Sequence, residues 1–250
     1  MTETPTPARR YIDNDPKDVI LRLPGIGNLM IIGKRHGATH ERIGTVESVT
    51  EDNGLLRCGG VAQDSCIDPA SITKIVIDTS SIMNEKVYPR IDFNGADGLP
   101  VFAVVGFGGL EPFEAALEGL VMTADASIPT RPQRPERAPV SPEDPALAPL
   151  NAALSSGAPI TIAFEATGFS QRWTGVVPKV SPGMGFINVM TEDFHLHLLG
   201  STVGRWQEER RGDGALMRAL DPEGRPTGLT LSSETAAAFS AHSTASEQLA

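Results

Sequence analysis

Residues 192–199 read EDFHLHLL, and the alternation in this stretch governs how the rest of the chain is read. Side chains two apart on a β-strand share a face, so Phe194, Leu196 and Leu198 form one side and His195 and His197 the other. Such a strand presents two imidazoles next to one another, as a metal or heme site would. It is equally the pattern of a half-buried strand whose polar side carries histidine. Both readings start from the same prediction, a strand with one face in a core.

Moving outward, the neighbouring stretches are also strand-like. GFINVM, PITIAFEA, RWTGVVPKV and STVGRWQEE surround it, and NLMIIGK, RIGTVESVT, SITKIVID, KVYPRIDF and LPVFAVVGF lie earlier in the chain. All are alternating or β-branched runs bounded by Gly, Asp and Pro. Helix signals are few. DPKDVILRLP and ALAPLNAALSSG open two blocks, and GLEPFEAALEGL places Pro112 in a first turn with Phe113, Ala116, Leu117 and Leu120 on one face.

The two blocks match each other. At an offset of 131 residues Gly44 falls on Gly175, Val46 on Val177, Val49 on Val180 and Gly54 on Gly185. In the same frame Asp64 stands opposite His195 and Cys66 opposite His197; a five-residue deletion later, DGLP (97–100) meets EGRP (223–226). The expectation is an α+β fold, a tandem repeat of an antiparallel β-meander with a leading helix. Its parts are a disordered N-terminus (1–17), a first repeat (18–121), a proline-rich linker (122–149), a second repeat (150–231) and a disordered Ser/Ala/Thr-rich tail (232–250) holding His242.

Composition narrows the function. The net charge of −10 argues against nucleic acid or anionic membrane as a partner. No apolar run approaches a membrane span, and the first residues lack the apolar segment of a signal peptide, which points to a cytoplasmic protein. Cys58 and Cys66 match no zinc spacing or disulfide framework and are read as reduced, partly buried thiols. VVGFGGLEPFEAAL (104–117) suggests a glycine loop for phosphate, but Glu111 stands where the third glycine of a dinucleotide fingerprint belongs.

The run from Phe186 to Leu198, FINVMTEDFHLHL, resembles without a gap the W-L-N-V-L-D-P-x-F-N-L-H-L pattern of the HemS/ChuS-type hemin-degrading (heme utilisation) proteins. Arg172-Trp173-Thr174-Gly175-Val176-Val177 is similar to that family's I-H-T-G-P-V. His36, His40, Glu41 and Gly44 occupy its H-x-x-x-H-E-x-x-G-like stretch. The resemblance implies a tandem α+β fold that captures heme in a cleft between two halves, as a cytoplasmic carrier or a heme-degradation factor served by a redox partner. The family's axial histidine precedes the second half in an H-x-F-F-like stretch. Here that region is the proline-rich linker, which has no histidine. The family's arginine facing the iron aligns with Tyr88, and Arg90 follows two residues later.

Heme iron accepts an axial His, Cys, Met or Tyr, and its propionates attract Arg and Lys. The candidate heme and iron ligands are therefore His197 and His195, with Tyr88 and Arg90 as further heme contacts. The competing reading makes the two histidines hydrogen-bonded sheet residues, because His197 matches a strand position of the family pattern and His195 replaces its asparagine. His36 and His40 are expected in a loop or hairpin, as exposed turn residues or as contacts to a heme edge. A functional alternative is a non-catalytic, degenerate module that binds another flat or apolar ligand, or a protein partner.

Overall fold

The structure, a computed structural model, describes residues 7–125 and 136–240. In chain order, β1 (Arg9–Ile12) precedes α1 (Pro16–Ile20) and a one-turn 3-10 segment (Leu23–Ile26). Then come β2 (Asn28–Arg35), β3 (Ala38–Thr45), β4 (Ser48–Asp52), β5 (Leu55–Gly59), β6 (Asp64–Ile67) and β7 (Lys74–Asp78). A small ribbon, β8 (Ile82–Met83) and β9 (Lys86–Val87), leads to β10 (Arg90–Asn94), β11 (Pro100–Gly106), α2 (Leu110–Ala116) and β12 (Met122–Ala124). The second half has α3 (Leu147–Ser156), β13 (Ile160–Ala166), β14 (Phe169–Gly175), β15 (Ser181–Gly183), β16 (Phe186–Met190) and β17 (Phe194–Leu199). It ends with β18 (Arg205–Arg211), β19 (Gly214–Leu220), β20 (Pro226–Ser233) and a 3-10 turn (Ala236–Phe239). The α+β expectation holds, and no helix among the described residues is long and apolar enough to cross a membrane.

Pairing is antiparallel throughout two large sheets, one in the order β12-β1-β7-β10-β11-β2-β3-β17-β16-β15 and the other β18-β19-β20-β13-β14-β6-β5-β4. The repeat found in sequence is visible strand by strand, β2 to β7 recurring as β13 to β18 and β10 and β11 as β19 and β20. The joins recur too. Ala38 pairs with Leu198 and His40 with Leu196, while Phe169 pairs with Ile67 and Gln171 with Ser65, the same four positions shifted by the repeat offset. Neither repeat is one continuous meander, however. The strands β4–β6 leave the first block and extend the second block's sheet, and β15–β17 do the reverse.

The sheets stack through their apolar faces. Phe93 on Phe102, Phe102 on Phe169 and Trp173 on Phe194 form stacked pairs with centroids 4.2, 5.4 and 4.6 Å apart. Gly33 makes room for them, lying directly against Phe164 and Phe169. At the pseudo-twofold centre His40, fully buried, places Nδ1 2.8 Å from Oε1 of Gln171, its equivalent in the other repeat, and Nε2 3.1 Å from the Ile162 carbonyl. Helix α2 covers an inner surface, with Phe113 against Gly106 and Arg10 paired to Glu114 at 3.0 Å.

Several sequence expectations need correction. Residues 9–17 were expected to be disordered, yet β1 lies inside the ten-stranded sheet between β7 and β12, and α1 begins at Pro16 under an Asp15 cap. Four residues are too few for periodicity to show, and their order comes from strands far away in sequence. The expected disordered tail completes β20 at Ser232 and Ser233 and continues into a turn with Ala236 and Ala238 buried; His242 lies outside the described residues. In the expected linker, β12 forms a sheet edge, and Asp144 accepts from the Ser201 amide at 2.7 Å. His40, expected as an exposed turn residue together with His36, is core. Only His36 is in the turn, at φ 46° and followed by Gly37 at φ 80° in a two-residue hairpin.

Candidate functional site

Strand β17 runs between β3 and β16, with Phe194, Leu196 and Leu198 buried and His195 and His197 directed outward. The turn before it is held locally: Thr191 Oγ1 donates to Asp193 at 2.7 Å, and the Thr191 amide to the Phe194 carbonyl at 2.7 Å. Arg42 clamps the same end to β3, donating to the Ala62 carbonyl at 2.7 Å and pairing with Asp193 at 3.2 Å. Register then decides the site. His195 is directly opposite Glu41 of β3, and His197 opposite Asn188 of β16.

Glu41 lies between the two rings. Its Oε2 is 3.3 Å from His195 Nδ1 and 3.7 Å from His197 Nε2, and one donor atom from each of the three residues falls within 4.8 Å of the others. Burial by itself raises the Glu41 carboxyl, but the two histidines outweigh it and hold the group at about 2, so it is a carboxylate at neutral pH. Among the described residues it pairs with no lysine or arginine. The other side of His197 is set by Asn188. The Asn188 Nδ2 donates to the carbonyls of Ser181 at 2.8 Å and Phe186 at 3.4 Å, which leaves Oδ1 to accept from His197 Nδ1 at 2.7 Å. His197 Nε2 is thereby turned toward Glu41.

The structure brings His195 and His197 together, with ring centroids 5.8 Å apart, and adds Glu41. Tyr88 and Arg90 are elsewhere. Following the pairing from His195 through Glu41, Ile32 and Ala103 leads to Asp92, so Arg90 is on the same outer face but four strands away. That is roughly 19 Å at about 4.8 Å per strand. Arg90 is also engaged by Asp92 at 2.7 Å. Tyr88 precedes β10 and meets Phe107 edge-on. Between these two ends the outer face carries the apolar Met30, Ile32, Ile43, Ala103 and Val105, with Thr39 and Lys34 in the row of His197. An imidazole held by a carboxylate beside an apolar floor fits the needs of a porphyrin, whereas Arg90, engaged by Asp92 four strands away, is not brought to it. Sequence reasoning missed Glu41 as a partner of these histidines. It is 154 residues from His195, and no local signal announces the β3–β17 pairing.

Two sheets that exchange three-stranded units about a pseudo-twofold axis define the fold. Among solved structures the chain shares it with ChuS, described as an E. coli heme oxygenase, at TM-score 0.72 and 16% identity over 90% of this chain and 82% of that one. Holo-PhuS, a heme-binding protein from Pseudomonas aeruginosa, matches at TM-score 0.72 and 17% identity over 90% and 81%. The resemblance read from FINVMTEDFHLHL is thus borne out as a likeness of fold. No family model matches the chain, and no curated protein matches its sequence.

Proposed function

We propose that this protein binds heme and serves heme utilisation as a carrier or a degradation factor. The observation that carries the proposal is the His195–Glu41 pair on the open face of the ten-stranded sheet, in a fold shared with heme-binding proteins. With Nδ1–H donated to Glu41, His195 directs the Nε2 lone pair away from the carboxylate, the arrangement by which a carboxylate orients an axial imidazole. His197 is the poorer ligand, since Asn188 engages one ring nitrogen and Glu41 faces the other. The floor of Met30, Ile32, Ile43 and Val105 excludes water from one face of a flat ligand. Heme would supply a redox-active iron; ring opening would further require O₂ and a reductant-delivering partner.

The test is a hemin titration followed at the Soret band. The wild type gives a saturable one-to-one shift, His195→Ala weakens it at least tenfold, and His197→Ala and Tyr88→Phe leave it nearly unchanged. Absence of a saturable shift in the wild type overturns the proposal. A shift indifferent to His195→Ala overturns the assigned ligand. Loss of the Soret band after adding reductant and O₂ separates a degradation factor from a carrier.

A further inference from the structure

The Glu41–His195–His197 cluster has a geometry that heme binding does not require. We propose that these three residues form a site for one first-row divalent metal ion, independent of heme. Tetrahedral ligands at about 2.0–2.1 Å from zinc stand about 3.3–3.4 Å from one another. The separations from Glu41 Oε2 to His195 Nδ1 and His197 Nε2, 3.3 and 3.7 Å, are already close to the edges of such a tetrahedron. Two imidazoles and one carboxylate are the donor set of open zinc sites and of facial-triad iron sites, and imidazole suits Zn, Fe, Ni and Cu alike.

Asn188, its own amide fixed by two backbone carbonyls, accepts from His197 Nδ1 and turns Nε2 toward Glu41. A hydrogen bond from the outer nitrogen of a ligating histidine is the usual support of a metal site. An observation independent of this convergence is the pseudo-symmetric position in the other sheet. There Arg172, Asp64, Cys66 and Arg57 take the places of Glu41, His195, His197 and Asn188, and Arg172 pairs with Asp64 at 3.1 Å. In that copy the partner of the carboxylate is an arginine; in this one, among the described residues, the carboxylate meets two imidazoles and no lysine or arginine. The three donors share the outer face of the sheet, which leaves the remaining coordination positions open to water or a small anion.

The test uses the full-length, chelator-stripped protein without heme, titrated with Zn²⁺ by calorimetry and with Co²⁺ by visible absorption. The expected result is one ion per chain, with affinity lowered at least tenfold by Glu41→Gln, His195→Ala and His197→Gln. Asn188→Leu lowers it by about tenfold through lost ring orientation, while His36→Ala leaves it unchanged. Circular dichroism of each variant confirms that the fold is kept. No one-to-one binding in the wild type, or binding indifferent to Glu41→Gln and His197→Gln, overturns the proposal. The two readings fail separately, because His197→Gln weakens metal binding but leaves the hemin shift, whereas His195→Ala weakens both.

Discussion

At the scale of single residues, environment divides histidines that look alike in sequence. His40 and His195 both belong to alternating strands, but His40 points inward and has no contact with water. Burial, opposed by the Gln171 and Ile162 acceptors, pushes the pKa of His40 from 6.5 down to about 4. Between those values the unfolded chain binds a proton that the folded chain refuses, so this contribution falls as pH drops below 6.5 and levels off below 4. The expected loss at pH 4 relative to pH 7.5 is about 3 kcal/mol. It is measured as the difference in the pH dependence of urea midpoints between wild type and His40→Gln, and equal dependences contradict it. The two thiols divide likewise: Cys58 is buried in the core and raised to about 12, which marks it as inert, while Cys66 is half-buried at the pseudo-symmetric counterpart of His197.

At the scale of elements, strands were the most legible feature because their alternation is local. GFINVM and FHLHLL form β16 and β17, and the helix expected in GLEPFEAALEGL forms as α2. Misreadings fall where a short run owes its order to a distant neighbour, as β1 and β12 do. Gly33 shows what the stacking demands of an element. A β-carbon there would lie 2.6 Å from Phe169 and 2.7 Å from Phe164, ring atoms already fixed between two sheets. Gly33→Ala is therefore expected to destabilise the protein by about 1–3 kcal/mol. A fall in the urea midpoint with unchanged slope is the expected measurement, and an unaltered midpoint would contradict the packing described.

At the scale of the molecule, the exchange of strands makes each half incomplete. Residues 18–121 alone would leave the β3 edge without β17 and would strand β4–β6 without β14. That fragment is expected to be unfolded or associated, with collapsed amide dispersion in a proton–nitrogen spectrum. The whole chain should unfold in one transition, with far-UV dichroism and the fluorescence of Trp173 and Trp206 coinciding. A separately folded fragment, or two resolved transitions, would show that the exchanged strands do not couple the halves.

The sequence by itself determined the strand content, the repeat and the outward placement of His195 and His197, since each follows from spacing along one segment. It also pointed to the α+β fold through the FINVMTEDFHLHL pattern. Only the tertiary structure decided that Glu41 meets those histidines, that Asn188 sets the ring orientation of His197, and that Tyr88 and Arg90 lie across the sheet from them. Those relations depend on register between strands as many as 154 residues apart. Register is set by how two whole sheets bury their apolar faces, which no local window of sequence contains.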